Sequence, residues 1–156
     1  MAWQWWLFLH IAGVLAFVGA HGVSMVVLYR VRGERDRRRI AELIAFSGTT
    51  TRPMYVALGV LTLGGVGAGL TLHLFSAWWL WISIIILLVT IGLMTALAKP
   101  YFRKITAACE VRPSGVPRVS DEELEQLLSS GEAHVITAIG GIGLLAILYL
   151  MLFKPF

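Results

Sequence analysis

Four apolar runs constrain this chain more than anything else in it. Residues 3–29, 54–74, 79–98 and about 135–153 are each long enough to cross a hydrocarbon layer about 30 Å thick as a helix. Backbone N–H and C=O groups find no water in that layer, so each run must close its hydrogen bonds within itself. The expected fold class is therefore all-α: an integral membrane four-helix bundle, with residues 1–156 forming one membrane domain. Composition agrees, because 58% of the residues are hydrophobic and only 14% are charged, which argues against an ordinary soluble domain. The first run is longer than the apolar region of a secretory signal, has no basic residues before it and leads into arginines, so it reads as a retained helix.

The basic residues set an expected orientation. Arg30, Arg32, Arg35, Arg37, Arg38, Arg39 and Arg52 lie between the first two runs, and Lys99, Arg103, Lys104, Arg112 and Arg118 follow the third. Only Lys154 falls on the other side. The positive-inside rule makes segments 30–53 and 99–134 cytoplasmic and places the N and C termini outside, as in a multi-pass protein of a bacterial inner membrane. Trp3, Trp5, Trp6, Trp78, Trp79 and Trp81 then gather at the outer boundary, where amphipathic rings sit among headgroups. The net charge of +4 follows from these topology-setting arginines, and the chain is read as binding no nucleic acid.

Short helices are expected on the cytoplasmic side. Ile40, Leu43, Ile44 and Phe46 stand beside charge over residues 33–47, which suits either a topology-setting loop or a short helix lying on the inner surface. Ser120 and Glu123 have the spacing of a capping box that opens a second one, with Gly131 as its stop. Pro100 is expected to end or kink the third span, and Pro113, Gly115 and Pro117 mark a loop. The single Cys109 excludes an intrachain disulfide and reads as a reduced thiol. Small residues mark where membrane helices can touch. Their abundance in spans one, two and four predicts that those three form the tight interior, while span three faces lipid or a partner.

Four histidines carry the functional argument. His10 and His21 lie eleven residues apart in the first span, within roughly 20° of one another on one helix face and about 16 Å apart along the axis. No acidic or basic side chain lies well inside any span, so a charge-coupled pump is not expected. Depth sorts the histidines into an outer pair, His10 with His73, and an inner pair, His21 with His134. Two bis-imidazole sites stacked across a bundle would suit one or two haem b groups. Counting along the helices puts His73 and His134 shallower than their partners, so Met25, Met54, Tyr55, an external ligand or a neighbouring protomer are alternative ligands. Copper is the alternative metal at these histidines, since imidazole and thioether both bind it and Met25, Met54, Met94 and Met151 are at hand. No Ser/His/Asp set, cysteine cluster, phosphate loop or paired intramembrane carboxylates are present.

The stretch Phe8–Leu9–His10–Ile11–Ala12–Gly13, followed by Gly19 and a basic exit, resembles the first helix of small bacterial membrane proteins around the copper-resistance D domain. It is also similar to the first helix of HemJ-type protoporphyrinogen oxidases, and residues 99–104 (KPYFRK) resemble helix ends in this group. The resemblance implies a helical bundle in which His10 ligates haem or copper. It transfers no wider residue set, because the third span has no internal lysine and His21 has no counterpart in the pattern.

The expected function is that of a b-type-haem-binding inner-membrane protein for electron transfer, working with a quinone or a protein redox partner. The residues expected to bind the cofactor are His10, His21, His73 and His134; the plain alternatives are a helix-to-helix hydrogen bond for His10 and His21 and an interfacial polar position for His73 and His134. The alternatives are a non-catalytic structural subunit of a larger membrane complex and a copper-handling membrane protein; a homo-oligomer is compatible with all three.

Overall fold

The computed structural model describes residues 2–155. Six α-helices follow one another: α1 (Ala2–Arg32), α2 (Arg37–Thr49), α3 (Thr51–Thr71), α4 (Trp78–Cys109), α5 (Asp121–Ser129) and α6 (Glu132–Phe153), with a 3-10 turn at Leu74–Ser76 between α3 and α4. Long helix, short helix, long helix is thus the plan of each half of the chain. Among the described residues the only β pairing is an isolated Val111–Pro117 bridge, which closes the loop around Gly115.

Four helical stretches, 2–32, 37–71, 78–109 and 121–153, are long and apolar enough to cross a membrane. Their large apolar side chains point mostly away from the protein. Leu15, Val26, Leu63, Ile85, Leu88, Ile142, Leu145 and Leu152 are all exposed. In water such a surface would drive aggregation, whereas among lipid tails it is matched to its solvent.

Local chemistry explains the helix ends. α1 stops at Gly33 with Arg30 and Arg32 in its last turn, where cations suit the carbonyl end of the helix dipole. The Asp36 side chain then accepts from the Arg38 N–H at 2.9 Å and caps α2. The capping box predicted for α5 forms on both sides. Ser120 Oγ accepts from the Glu123 N–H, and Glu123 Oε2 accepts from the Ser120 N–H, each at 3.2 Å. α3 ends at Thr71, earlier than its apolar run, because His73 adopts a left-handed conformation with φ of 54° that turns the chain toward α4.

Two expectations are corrected. Pro100 does not end the third span; α4 runs through it to Cys109. Proline gives up one intrahelical bond and crowds the carbonyl four residues back, but Tyr101, Ile105, Ala108 and Cys109 bury a continuous stripe of the extension and offset that cost. Nor do spans one, two and four form one tight interior. Close backbone approach is concentrated in two pairs, α1 with α3 and α4 with α6. In the first pair, a Cβ on Gly13 would lie 2.8 Å from Leu61 Cα, and one on Gly64 would lie 2.8 Å from His10 Cα. In the second, Gly143 receives the Thr90 side chain, with Thr90 Cγ2 3.0 Å from a Cβ placed there. Span three therefore packs on span four, yet it is the least buried of the four spans, as expected of a helix that faces lipid or a partner.

The main buried core lies at the arginine-rich end, beyond the two helix pairs. Val27, Leu28 and Val31 of α1, Ile40 of α2, Tyr101 and Ile105 of α4, Leu124 and Leu128 of α5, and Ala133 and Ile136 of α6 form one cluster. α2 is thus a packed element of this cap. Arg37 fastens it: Nη1 donates to the Ala108 carbonyl at 2.7 Å, and Nη2 to the Val119 carbonyl at 2.9 Å. Arg32 Nη1 donates to the Ser130 carbonyl at 2.7 Å, at the C-terminal end of α5. Arg35 pairs with Glu125 at 2.7 Å. All of these ties join the first half of the chain to the second. At the opposite end, Lys154 Nζ stands 5.8 Å from the centre of the Trp79 ring, so the C-terminal end of α6 meets the start of α4 among the tryptophans.

Candidate functional site

α1 presents both of its histidines inward, each to a different neighbour. His10 lies against α3, where Gly64 and Gly65 leave room for it. A Cβ on Gly65 would stand 2.9 Å from His10 Nδ1. That nitrogen lies 2.7 Å from the Leu61 carbonyl oxygen. A carbonyl only accepts, so Nδ1 carries the proton, and in the neutral form of the ring the lone pair is on Nε2. A ring fixed in this way by a backbone carbonyl has the tautomer and orientation control typical of a metal-ligating histidine.

His21 lies on the same face of α1, about 16 Å further along the axis, stacked on Phe17 one turn away with ring planes 2° apart. Across from it are α6 and α4. A Cβ built on Gly140 would lie 3.3 Å from His21 Nε2 and 3.6 Å from Met94 Sδ. An imidazole nitrogen and a thioether sulfur therefore converge on one point, which is open because residue 140 has no side chain. Among the described residues, His21 has no hydrogen-bond partner for its ring. Gly19 and Gly22 on α1, Gly92 on α4 and Gly141 on α6 have no atom within 4 Å of a Cβ position, so they are not spent on helix packing.

The expected pairs are not assembled. His10 is level with Leu61–Gly65, while His73 lies beyond the end of α3, roughly 12 Å further along the axis, in the exposed turn. His134 is exposed, and its Nδ1 lies 3.3 Å from the Tyr29 hydroxyl. Tyr29 is eight residues past His21 on α1, or about 12 Å, so His134 and His21 occupy different depths. The physical reason is the same in both cases. His73 and His134 belong to helix ends, which the turns hold near the surfaces, while His10 and His21 lie well inside α1. Among the described residues no three His, Cys, Asp or Glu side chains gather as a metal site.

Met94 is the partner that spacing alone did not single out. Its signal was depth: Met94 lies fifteen residues from Trp79 and His21 fifteen from Trp6, so both fall about 22 Å from the tryptophan end. The Leu61 carbonyl left no signal, since any residue would supply it.

No family model matches the chain, and no curated protein or solved structure is significantly similar to it.

Proposed function

We propose that this chain is a multi-pass protein of a bacterial inner membrane, with both termini outside, that transfers electrons between a quinone or protein partner and an acceptor. The redox group in this reading is a b-type haem held through His10. One observation carries it: the 2.7 Å bond from His10 Nδ1 to the Leu61 carbonyl leaves Nε2 as a directed lone pair in an apolar stretch of α1. A bound haem would supply a one-electron carrier within the membrane. The chain's own residues do the rest. Leu61 holds the ring in one tautomer, and Gly64 and Gly65 admit it. Neither His73 nor His134 reaches His10, which favours one haem over two.

The test is an optical spectrum of the protein purified in detergent from haem-replete cells, oxidised and then reduced with dithionite. A Soret band and a reduced α band are expected, both lost in His10→Ala. Their absence from the wild-type protein would overturn the reading and leave the structural-subunit alternative. The cap ties at the arginine-rich end suit that alternative as a folded docking element, and it predicts co-purification with other membrane chains.

A further inference from the structure

We propose that His21 and Met94 form a second metal site, selective for Cu(I), at the interface between the two halves of the chain. Three elements meet there. α1 and α4 do not approach each other closely as backbones. Their side chains instead reach toward one another over Gly140 of α6, the imidazole Nε2 to within 3.3 Å and the thioether Sδ to within 3.6 Å of the same Cβ position. The two donor atoms are thus separated by no more than the sum of those distances. An ion bound to both donors would occupy the space at residue 140 that faces them.

The donor set decides the metal. A thioether is soft and uncharged, and an imidazole is borderline; together they favour Cu(I) over Zn(II), Mg(II) or Ca(II), which want thiolate, carboxylate or more oxygen ligands. The absence of acidic side chains within the spans points the same way. Two neutral ligands leave the complex with a single positive charge, and a divalent ion there would leave two. Gly140 also discriminates by size. A bare ion fits in the space its missing side chain leaves, whereas a macrocycle between the same two donors would have to share that space with the α6 backbone. Phe17, stacked on His21, limits rotation of the ring and keeps Nε2 turned toward α6.

The site shares with the proposed function only the premise that α1 imidazoles bind metal, and its ligands are different. Anaerobic titration of the intact detergent-purified protein with Cu(I), against a chromophoric Cu(I) chelator, is expected to show one ion bound per chain. X-ray absorption at the copper edge should report one sulfur and one nitrogen scatterer. Met94→Leu, which conserves volume, should weaken binding at least tenfold and remove the sulfur scatterer. His21→Ala should abolish binding, while Met25→Leu leaves it unchanged. Retention of full affinity in Met94→Leu, with no change in the absorption spectrum, would overturn the site. So would a haem spectrum that is lost in His21→Ala. Loss of haem in His10→Ala with copper binding intact would support both assignments, and an absence of haem with Cu(I) bound as described would overturn only the first.

Discussion

Arg37 and Asp121 are joined at 2.6 Å across the cap, yet the two ends of this ion pair differ greatly in surroundings: the arginine side chain is 13% exposed and the aspartate 89%. The guanidinium also serves the Ala108 and Val119 carbonyls, so its main work is to satisfy buried backbone acceptors. Arg37→Ala should therefore cost about 2–4 kcal/mol of stability, because two acceptors lose their partner. Asp121→Asn should cost under about 1 kcal/mol, as for other exposed pairs. Arg37→Lys should recover little, since one ammonium cannot replace a planar fork reaching several acceptors. Thermal unfolding in a fixed detergent would measure all three, and equal losses for Arg37→Ala and Asp121→Asn would contradict this account.

Glycines of the same helices should respond in opposite ways. A methyl on Gly64 meets His10 Cα at 2.8 Å and the Trp6 carbonyl at 2.9 Å, both of them backbone, so Gly64→Ala should force α1 and α3 apart at a cost of about 1–3 kcal/mol. Gly22→Ala meets nothing within 4 Å and should be neutral or stabilising by up to about 1 kcal/mol through helix propensity. Thermal midpoints of the two variants should fall on opposite sides of, or one at and one below, the wild-type value.

The Cys109 thiol should be slow to alkylate. It is buried at the end of α4, in the cap beyond the apolar part of that helix, and burial pushes its pKa above the ordinary value while nearby Arg37 pulls it partly back. Only the thiolate reacts, so maleimide labelling of the folded protein should lag behind labelling of the denatured chain and should accelerate as pH rises. Rapid labelling of native protein at neutral pH would show that the cap opens readily.

Glu34 should titrate below the ordinary glutamate range. Its Oε1 accepts from the Asp36 N–H at 3.2 Å and the Arg35 N–H at 2.9 Å, and these bonds favour the charged form. Because the folded pKa is depressed, the contribution to loop order is present above the ordinary glutamate range and is lost as pH falls through the lowered value. A carboxyl carbon NMR titration is the measurement, and a Glu34 midpoint at the ordinary glutamate value would rule out the effect.

The long helices were legible in the sequence because a membrane demands unbroken apolar length, and the capping box at Ser120 was legible because its chemistry is local. The cap was harder to read. Tyr101, Ile105, Ala108 and Cys109 do keep helical spacing past Pro100, but a proline rule weighs one residue while tertiary burial weighs the whole stripe. At the site, the shared face of His10 and His21 was readable from helix geometry. Their partners were not, since pairing depends on which helices approach. Glycine content alone did not distinguish Gly64, pressed against His10, from Gly22, which touches nothing.

The ties between the halves, from Arg32, Arg35 and Arg37 to α5 and its flanks, all sit at one end, while at the other the halves share little beyond the turn at Leu74–Ser76. The molecule is built like a clothes-peg, sprung at its arginine end. On the proposed topology, a molecule bound for the level of His21 and Met94 would meet a folded cap from one aqueous side and a seam between helix pairs from within the bilayer. The easier approach would then be sideways out of the lipid, a route open to partners that dissolve in membranes.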